Sequence, residues 1–155
     1  MTRPSLKLVR SSDTEDDRPT PPVPILGIDL GTTHSLVAVL RADGPQVLAD
    51  EAGRELLPSA VALDDQGTLL VGQTALTRLQ RDPTCGLRWF KRDMGDDSGH
   101  TLGAHTLSPT ELSALVLREL KAWATAALGQ APTKAVITVP AYFQEPQRAA
   151  TIEAG

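Results

Sequence analysis

A carboxylate followed at once by a turn rich in glycine and threonine is the feature of this sequence best suited to bind phosphate. Residues 27–35 are GIDLGTTHS, so Asp29 ends an apolar run just before the turn. In such a turn the amides of Gly31, Thr32 and Thr33 can point to one side and form a concave anion site. Asp29 cannot usefully contact an anion, but it can hold a hydrated Mg²⁺ that bridges phosphates. An ordinary hairpin whose turn is capped by Asp29 is the alternative interpretation.

Composition excludes several other classes of protein. The chain of 155 residues has 15 Lys and Arg against 19 Asp and Glu, and this balance disfavours binding to nucleic acid or an anionic membrane through bulk charge. Its single cysteine, Cys85, excludes an internal disulfide and a cysteine-cluster zinc site. No apolar run approaches the ~20 residues of a membrane span, and the start of the chain lacks the apolar segment of a signal peptide. We therefore expect a cytoplasmic protein.

Neither G-x-x-x-x-G-K-[ST] nor G-x-G-x-x-G occurs, which disfavours P-loop NTPases and classical dinucleotide-binding folds.

Hydrophobic spacing predicts the elements that must position the turn. Apolar runs at 25–30 and 35–40 flank it and predict an antiparallel hairpin. The sequence Ser108-Pro109-Thr110-Glu111 predicts a capped helix start, and Gly129 predicts the end of that helix. Further strands are predicted at 46–49, 59–63, 68–71 and 135–139, and further helices at 72–80 and 147–154.

The two ends of the chain differ in composition. Residues 1–24 contain five of the 12 prolines and few large apolar side chains, so we expect a flexible tail before a folded unit at 25–155. Tyr142 and Phe143 are expected to be core aromatics, and His100 and His105 are expected in a polar hairpin.

Four motifs occur in order: IDLGTTHS at 28–35, LVGQ at 70–73, FKRDMG at 90–95 and ITVPAYF at 137–143. Together they resemble the N-terminal part of the ATPase domain in the heat shock protein 70 family, the DnaK-type molecular chaperones. The segment between Gly95 and Ser108 and the run 111–121 look most like the HscC-type branch of that family. The resemblance covers residues 25–155.

The resemblance implies an α/β protein with the actin-like (ribonuclease H-like) ATPase fold, whose two lobes enclose a nucleotide. This chain would supply an N-terminal lobe fragment, with a mixed sheet, an opening β-hairpin and flanking helices. The implied cofactors are ATP or ADP and Mg²⁺, and the implied role in protein folding and the stress response is ATP-driven binding and release of unfolded polypeptides. The implied partners are those polypeptides, a J-domain co-chaperone and a nucleotide-exchange factor.

The resemblance also assigns roles to individual residues. Asp29 would hold Mg²⁺ through water, Lys91 would act on the γ-phosphate and the attacking water, and Pro140 with Arg148 would relay the nucleotide state. The phosphate contacts would come from Gly31, Thr32, Thr33 and His34, the last through its backbone. Gln144-Glu145-Pro146 stands where the family usually has Asn-Asp-Ala, so we expect the following helix to begin differently.

Two other functions stay open. A second phosphate loop, an adenine-binding segment and a peptide-binding domain are implied by the family and not recognised in this sequence, so we expect a truncated ATPase domain that is inactive alone. The chain could instead be a non-catalytic module that binds nucleotide or a co-chaperone. A third alternative is another actin-like enzyme, such as a sugar or acid kinase, which also begins with an Asp-x-Gly-Thr strand but should lack the blocks around Lys91 and Pro140.

Overall fold

The computed structural model describes residues 24–96 and 98–155. The predicted tail, apart from Pro24, lies outside the described residues. Ten strands and three α-helices follow along this part of the chain. The strands are β1 (Leu26–Asp29), β2 (His34–Arg41), β3 (Gly44–Val47), β4 (Leu57–Pro58), β5 (Ala60–Leu63), β6 (Leu69–Val71), β7 (Gly86–Arg88), β8 (His100–Leu102), β9 (His105–Leu107) and β10 (Ala135–Thr138). The helices are α1 (Gln73–Arg81), α2 (Pro109–Leu128) and α3 (Glu145–Ala154).

The main sheet is mixed and has the strand order β10-β1-β2-β3, with β4 pairing separately with β2. β1 and β2 are antiparallel, as the apolar runs around the turn predict, and β10 lies parallel to β1. Asp29 at the end of β1 is registered with Leu36 on one side and Thr138 on the other. This pairing brings residues from both ends of the described chain to the turn between β1 and β2.

A second sheet, ordered β6-β5-β7, continues from β4 and lies beside the turn. Ala60 of β5 is registered with Arg88 of β7. β7 leads into a short 3₁₀ helix, Phe90–Asp93, which carries Lys91. The predicted hairpin that contains His100 and His105 is formed by β8 and β9.

Helix α2 covers the main sheet and supplies one side of the core. Its start is the predicted capping box, because the Ser108 side chain accepts from the Glu111 amide and the Glu111 side chain accepts from the Ser108 amide. Gly129 ends the helix in the left-handed conformation. Buried side chains of the sheet and of α2 form one cluster, including Leu26, Ile28, Val37, Val39, Leu112, Val116 and Leu120. No helix in the described ranges is long and apolar enough to cross a membrane.

Two predictions near the end of the chain are corrected by the structure. Helix α3 begins at Glu145 rather than Gln147, because Gln144 forms a capping box with Gln147 and Pro146 fits the first turn, where no amide donor is needed. Phe143 is buried as expected, but Tyr142 is 79% exposed. The prediction that Tyr142 is a core aromatic is therefore wrong, since the chain between β10 and α3 turns only Phe143 inward.

Candidate phosphate-binding site

The turn between β1 and β2, residues 30–33, forms the surface of the candidate site. Leu30 is buried and anchors the turn in the core, whereas Thr33 and His34 are exposed. Glycine is required at position 31, because a Cβ atom there would overlap the carbonyl oxygen of His34. The result is a tight turn with its outer side open to solvent.

The amides of the turn divide into two groups. The Gly31 amide donates to Ser35 Oγ at 3.0 Å, so it is not free to bind an anion as the sequence pattern predicts. Among the residues that the structure describes, the Thr32 and Thr33 amides donate no backbone hydrogen bond. Unpaired donors on an exposed turn are well suited to an anionic ligand. The candidate anion site therefore consists of the Thr32 and Thr33 amides, with Gly31 shaping the turn.

Asp29 lies at the base of the turn with an exposed carboxylate. One carboxylate oxygen, Oδ1, accepts a 2.9 Å hydrogen bond from Thr138 Oγ1 across the β1–β10 pair. The other oxygen is left for a ligand. Within residues 24–96 and 98–155 no group of three metal-binding side chains occurs. A single carboxylate suits Mg²⁺ that keeps several waters and is completed by phosphate oxygens, so Asp29 fits the predicted water-mediated role.

Lys91 is the charged residue that the fold buries beside the turn. Its side chain is only 6% exposed, and its Nζ donates to the carbonyl oxygen of Leu30. The ammonium also lies 5.5 Å from the centre of the Phe143 ring. In the described part of the chain no carboxylate is within 4.0 Å of it. Burial lowers the pKa of Lys91, and the negative charge of Asp29 opposes this shift.

The predicted relay residues are hydrogen-bonded to the backbone of Phe143. Arg148 Nε donates to the Phe143 carbonyl oxygen at 3.0 Å, and the Phe143 amide donates to the Pro140 carbonyl oxygen at 3.0 Å. Phe143 therefore connects Pro140 and Arg148 to Lys91. The sequence gives no sign of this role, because an aromatic residue next to a strand is equally typical of simple core packing.

Two hydroxyl residues whose role no sequence motif indicates lie directly under the turn. Ser35 and Ser59 are 1% and 2% exposed, and their oxygens are 3.0 Å apart. Ser59 Oγ donates to the Gly31 carbonyl oxygen at 2.8 Å. A short polar residue at the start of a strand is too common a feature for the sequence alone to reveal such a contact.

His100, His105 and Cys85 make their polar contacts away from the turn. His100 faces Asp93 at 3.5 Å, and His105 contacts the Gly67 carbonyl oxygen. The Cys85 thiol donates to the backbone within its own loop.

A family model described as Hsp70 protein matches the chain over residues 25–106 and 97–155. The match spans all the site residues described above.

Proposed function

The chain belongs to the Hsp70 family, and from that premise we propose that residues 25–155 form the N-terminal lobe portion of a DnaK-type chaperone ATPase domain, with the HscC type as its nearest branch. Family membership implies the actin-like ATPase fold, and the mixed sheet with its flanking helices is of the matching α/β class. In this proposal the turn between β1 and β2 binds the phosphates of ATP or ADP.

The single observation that carries the proposal is the buried ammonium of Lys91. A buried charge is costly unless it is paired, and Lys91 has a carbonyl partner but no carboxylate within ion-pair distance in the described part of the chain. An anionic ligand at the neighbouring turn would supply the missing opposite charge. We therefore assign Lys91 to the transferring γ-phosphate, where a fixed cation stabilises developing negative charge.

The other residues of the turn support complementary roles. The amides of Thr32 and Thr33, together with the backbone of His34, would hold phosphate oxygens, while Gly31 permits the close approach. Asp29 would hold Mg²⁺ through water, and Thr138 would fix the orientation of its carboxylate. When bound, Mg²⁺ neutralises phosphate charge and helps to orient the attacking water.

The coupling of this site to protein folding is also a proposal. The connection from Lys91 through Phe143 to Pro140 and Arg148 offers a physical route by which phosphate at the turn would influence the rest of the protein. For the whole protein we propose three kinds of partner: unfolded polypeptides, a J-domain co-chaperone and a nucleotide-exchange factor. We propose the cytoplasm as its location.

Calorimetric titration of the purified chain with Mg·ATP and with adenosine tests the phosphate assignment. Because the described contacts are all suited to phosphate, we expect Mg·ATP to bind measurably more tightly than adenosine. Asp29→Asn should reduce the contribution of Mg²⁺ to that binding. Equal affinities for Mg·ATP and adenosine would contradict the proposal.

A further inference from the structure

We propose that Ser59, together with Ser35, is the positioning element of the phosphate-binding turn and orients the Gly31–Thr32 peptide so that the Thr32 amide faces the ligand. The inference rests on the proposed function, because it explains how the turn presents its donors to phosphate. It concerns residues that would not touch the ligand.

A closed ring of hydrogen bonds lies beneath the turn. The Gly31 amide donates to Ser35 Oγ, the two serine oxygens are bonded to each other, and Ser59 Oγ donates to the Gly31 carbonyl. A hydroxyl has one hydrogen to give. Since the Ser59 hydrogen is used at Gly31, Ser35 must be the donor between the serines. All four groups of the ring are therefore satisfied, and both polar groups of Gly31 are held.

The planarity of the peptide bond fixes the direction of the Thr32 amide once the Gly31 carbonyl is held. The carbonyl and the amide hydrogen of a trans peptide point in opposite directions, and the described residues contain no cis peptide. Ser59 Oγ draws the Gly31 carbonyl inward, so the Thr32 amide of the same peptide must point outward. The Ser59 amide also donates to the Thr33 carbonyl at 2.9 Å, which turns the His34 amide away from Ser59 in the same manner.

The orientation of the turn amides and the position of Lys91 depend on the same pair of strands. Ser59 immediately precedes β5, and β5 pairs with β7. Strand β7 ends at Arg88, and the 3₁₀ helix that carries Lys91 begins at Phe90. The Lys91 ammonium donates to the Leu30 carbonyl, which is in the peptide just before the Gly31 carbonyl that accepts from Ser59. The pairing of β5 with β7 therefore positions both Ser59, which orients the turn amides, and Lys91, which donates to the Leu30 carbonyl.

Matched variants of the full chain separate this role from general stability. Ser59→Ala removes the hydroxyl but keeps the backbone bond from residue 59 to Thr33. Ser59→Cys keeps a weaker donor of similar size. Ser113→Ala is the control, because Ser113 is also fully buried but its hydroxyl donates to the Met94 sulfur instead of to the turn.

The experiment combines two NMR readouts on each variant. Titration with Mg·ATP, followed at the Thr32 and Thr33 amides, gives the dissociation constant even when binding is weak. Hydrogen exchange of the Gly31 amide reports on the ring without any ligand. Loss of one amide bond to a charged phosphate weakens binding by about tenfold to hundredfold. We expect this loss in Ser59→Ala, a smaller one in Ser59→Cys, and faster Gly31 exchange in both.

The outcomes are distinct. Wild-type Mg·ATP affinity in Ser59→Ala, or an equal loss in Ser113→Ala, would overturn the inference. If Ser59→Ala does not fold, Ser59→Cys and Ser35→Ala decide by the same criteria. Failure of the wild-type chain to bind Mg·ATP would refute the proposed function, and Gly31 exchange in the variants would still show whether the serine ring fixes the turn.

Discussion

Replacing Lys91 by methionine removes the buried charge of the site while keeping an unbranched side chain of similar length. The wild-type ammonium donates to the Leu30 carbonyl and has no carboxylate partner in the residues the structure describes. Methionine removes a charge that burial disfavours but leaves the Leu30 carbonyl oxygen without its donor, and these two effects on the free energy of unfolding oppose each other. We therefore expect Lys91→Met to fold, with a midpoint of thermal unfolding close to that of the wild type.

The magnitude of the catalytic effect follows from the position of the charge. A unit charge about 4 Å from a developing unit charge, at an effective dielectric constant of about 20, contributes about 4 kcal/mol. Loss of a comparable fixed donor in other enzymes lowers kcat by about 10²–10³. Ground-state phosphates would still contact the turn amides and Mg²⁺, so we expect the Kd for Mg·ATP to change by less than about tenfold.

Single-turnover hydrolysis and nucleotide titration in the intact ATPase domain measure the two effects separately. The matched control is Lys121→Met, which makes the same change in net charge at an exposed position of α2. Undiminished hydrolysis in Lys91→Met, or equal losses of binding and hydrolysis, would refute the assignment of Lys91 to the transferring phosphate. A large loss of stability would show instead that the ammonium is a structural ion.

Three further predictions concern the same site. Thr138→Val removes the hydrogen bond to Asp29, so the Mg²⁺ concentration required for half-maximal nucleotide binding should rise several-fold; an unchanged requirement would exclude a positioning role for Thr138. Burial lowers the pKa of Lys91 from its ordinary value of 10.5. At pH values between the lowered pKa and 10.5, Lys91 therefore binds fewer protons in the folded chain than in the unfolded chain. The free energy of unfolding of the wild type, measured in urea, should therefore rise relative to Lys91→Met as the pH rises through that window, and a constant difference would contradict the shift. The purified chain should show no sustained phosphate release from ATP, since its turn is open to solvent and would leave the bound phosphates in contact with bulk water; micromolar binding with continued turnover would contradict this expectation.

Local patterns predicted the parts of the fold that are regular over several residues. The hairpin of β1 and β2 has two apolar runs around a glycine turn, and α2 has a complete capping box and a terminal glycine. These features depend on neighbouring residues, so they are present in the sequence itself. The short strands β4 and β7 were not predicted, because neither Leu57–Pro58 nor Gly86–Arg88 forms an apolar run or an alternating pattern.

The site was predicted in its residues but not in its hydrogen bonds. Asp29 and Thr138 are 109 positions apart, and Ser35 and Ser59 are 24 apart, so only the register of the strands reveals these contacts. The Gly31 amide was expected to face an anion because the pattern of a turn does not show which groups are already paired. Tyr142 and Phe143 were given the same role because aromatic character alone does not determine which of two neighbours turns inward.

Residue-resolved binding of Mg·ATP to the 155-residue chain is the most direct test of phosphate binding at this turn. Amide spectra would be recorded during titration with Mg·ATP and, separately, with adenosine. We expect saturable shifts centred on Thr32, Thr33 and His34 and extending to Lys91, with Mg·ATP only. Absence of shifts at these amides at saturating Mg·ATP, or equal shifts with adenosine, would contradict the assignment of the turn as a phosphate-binding site.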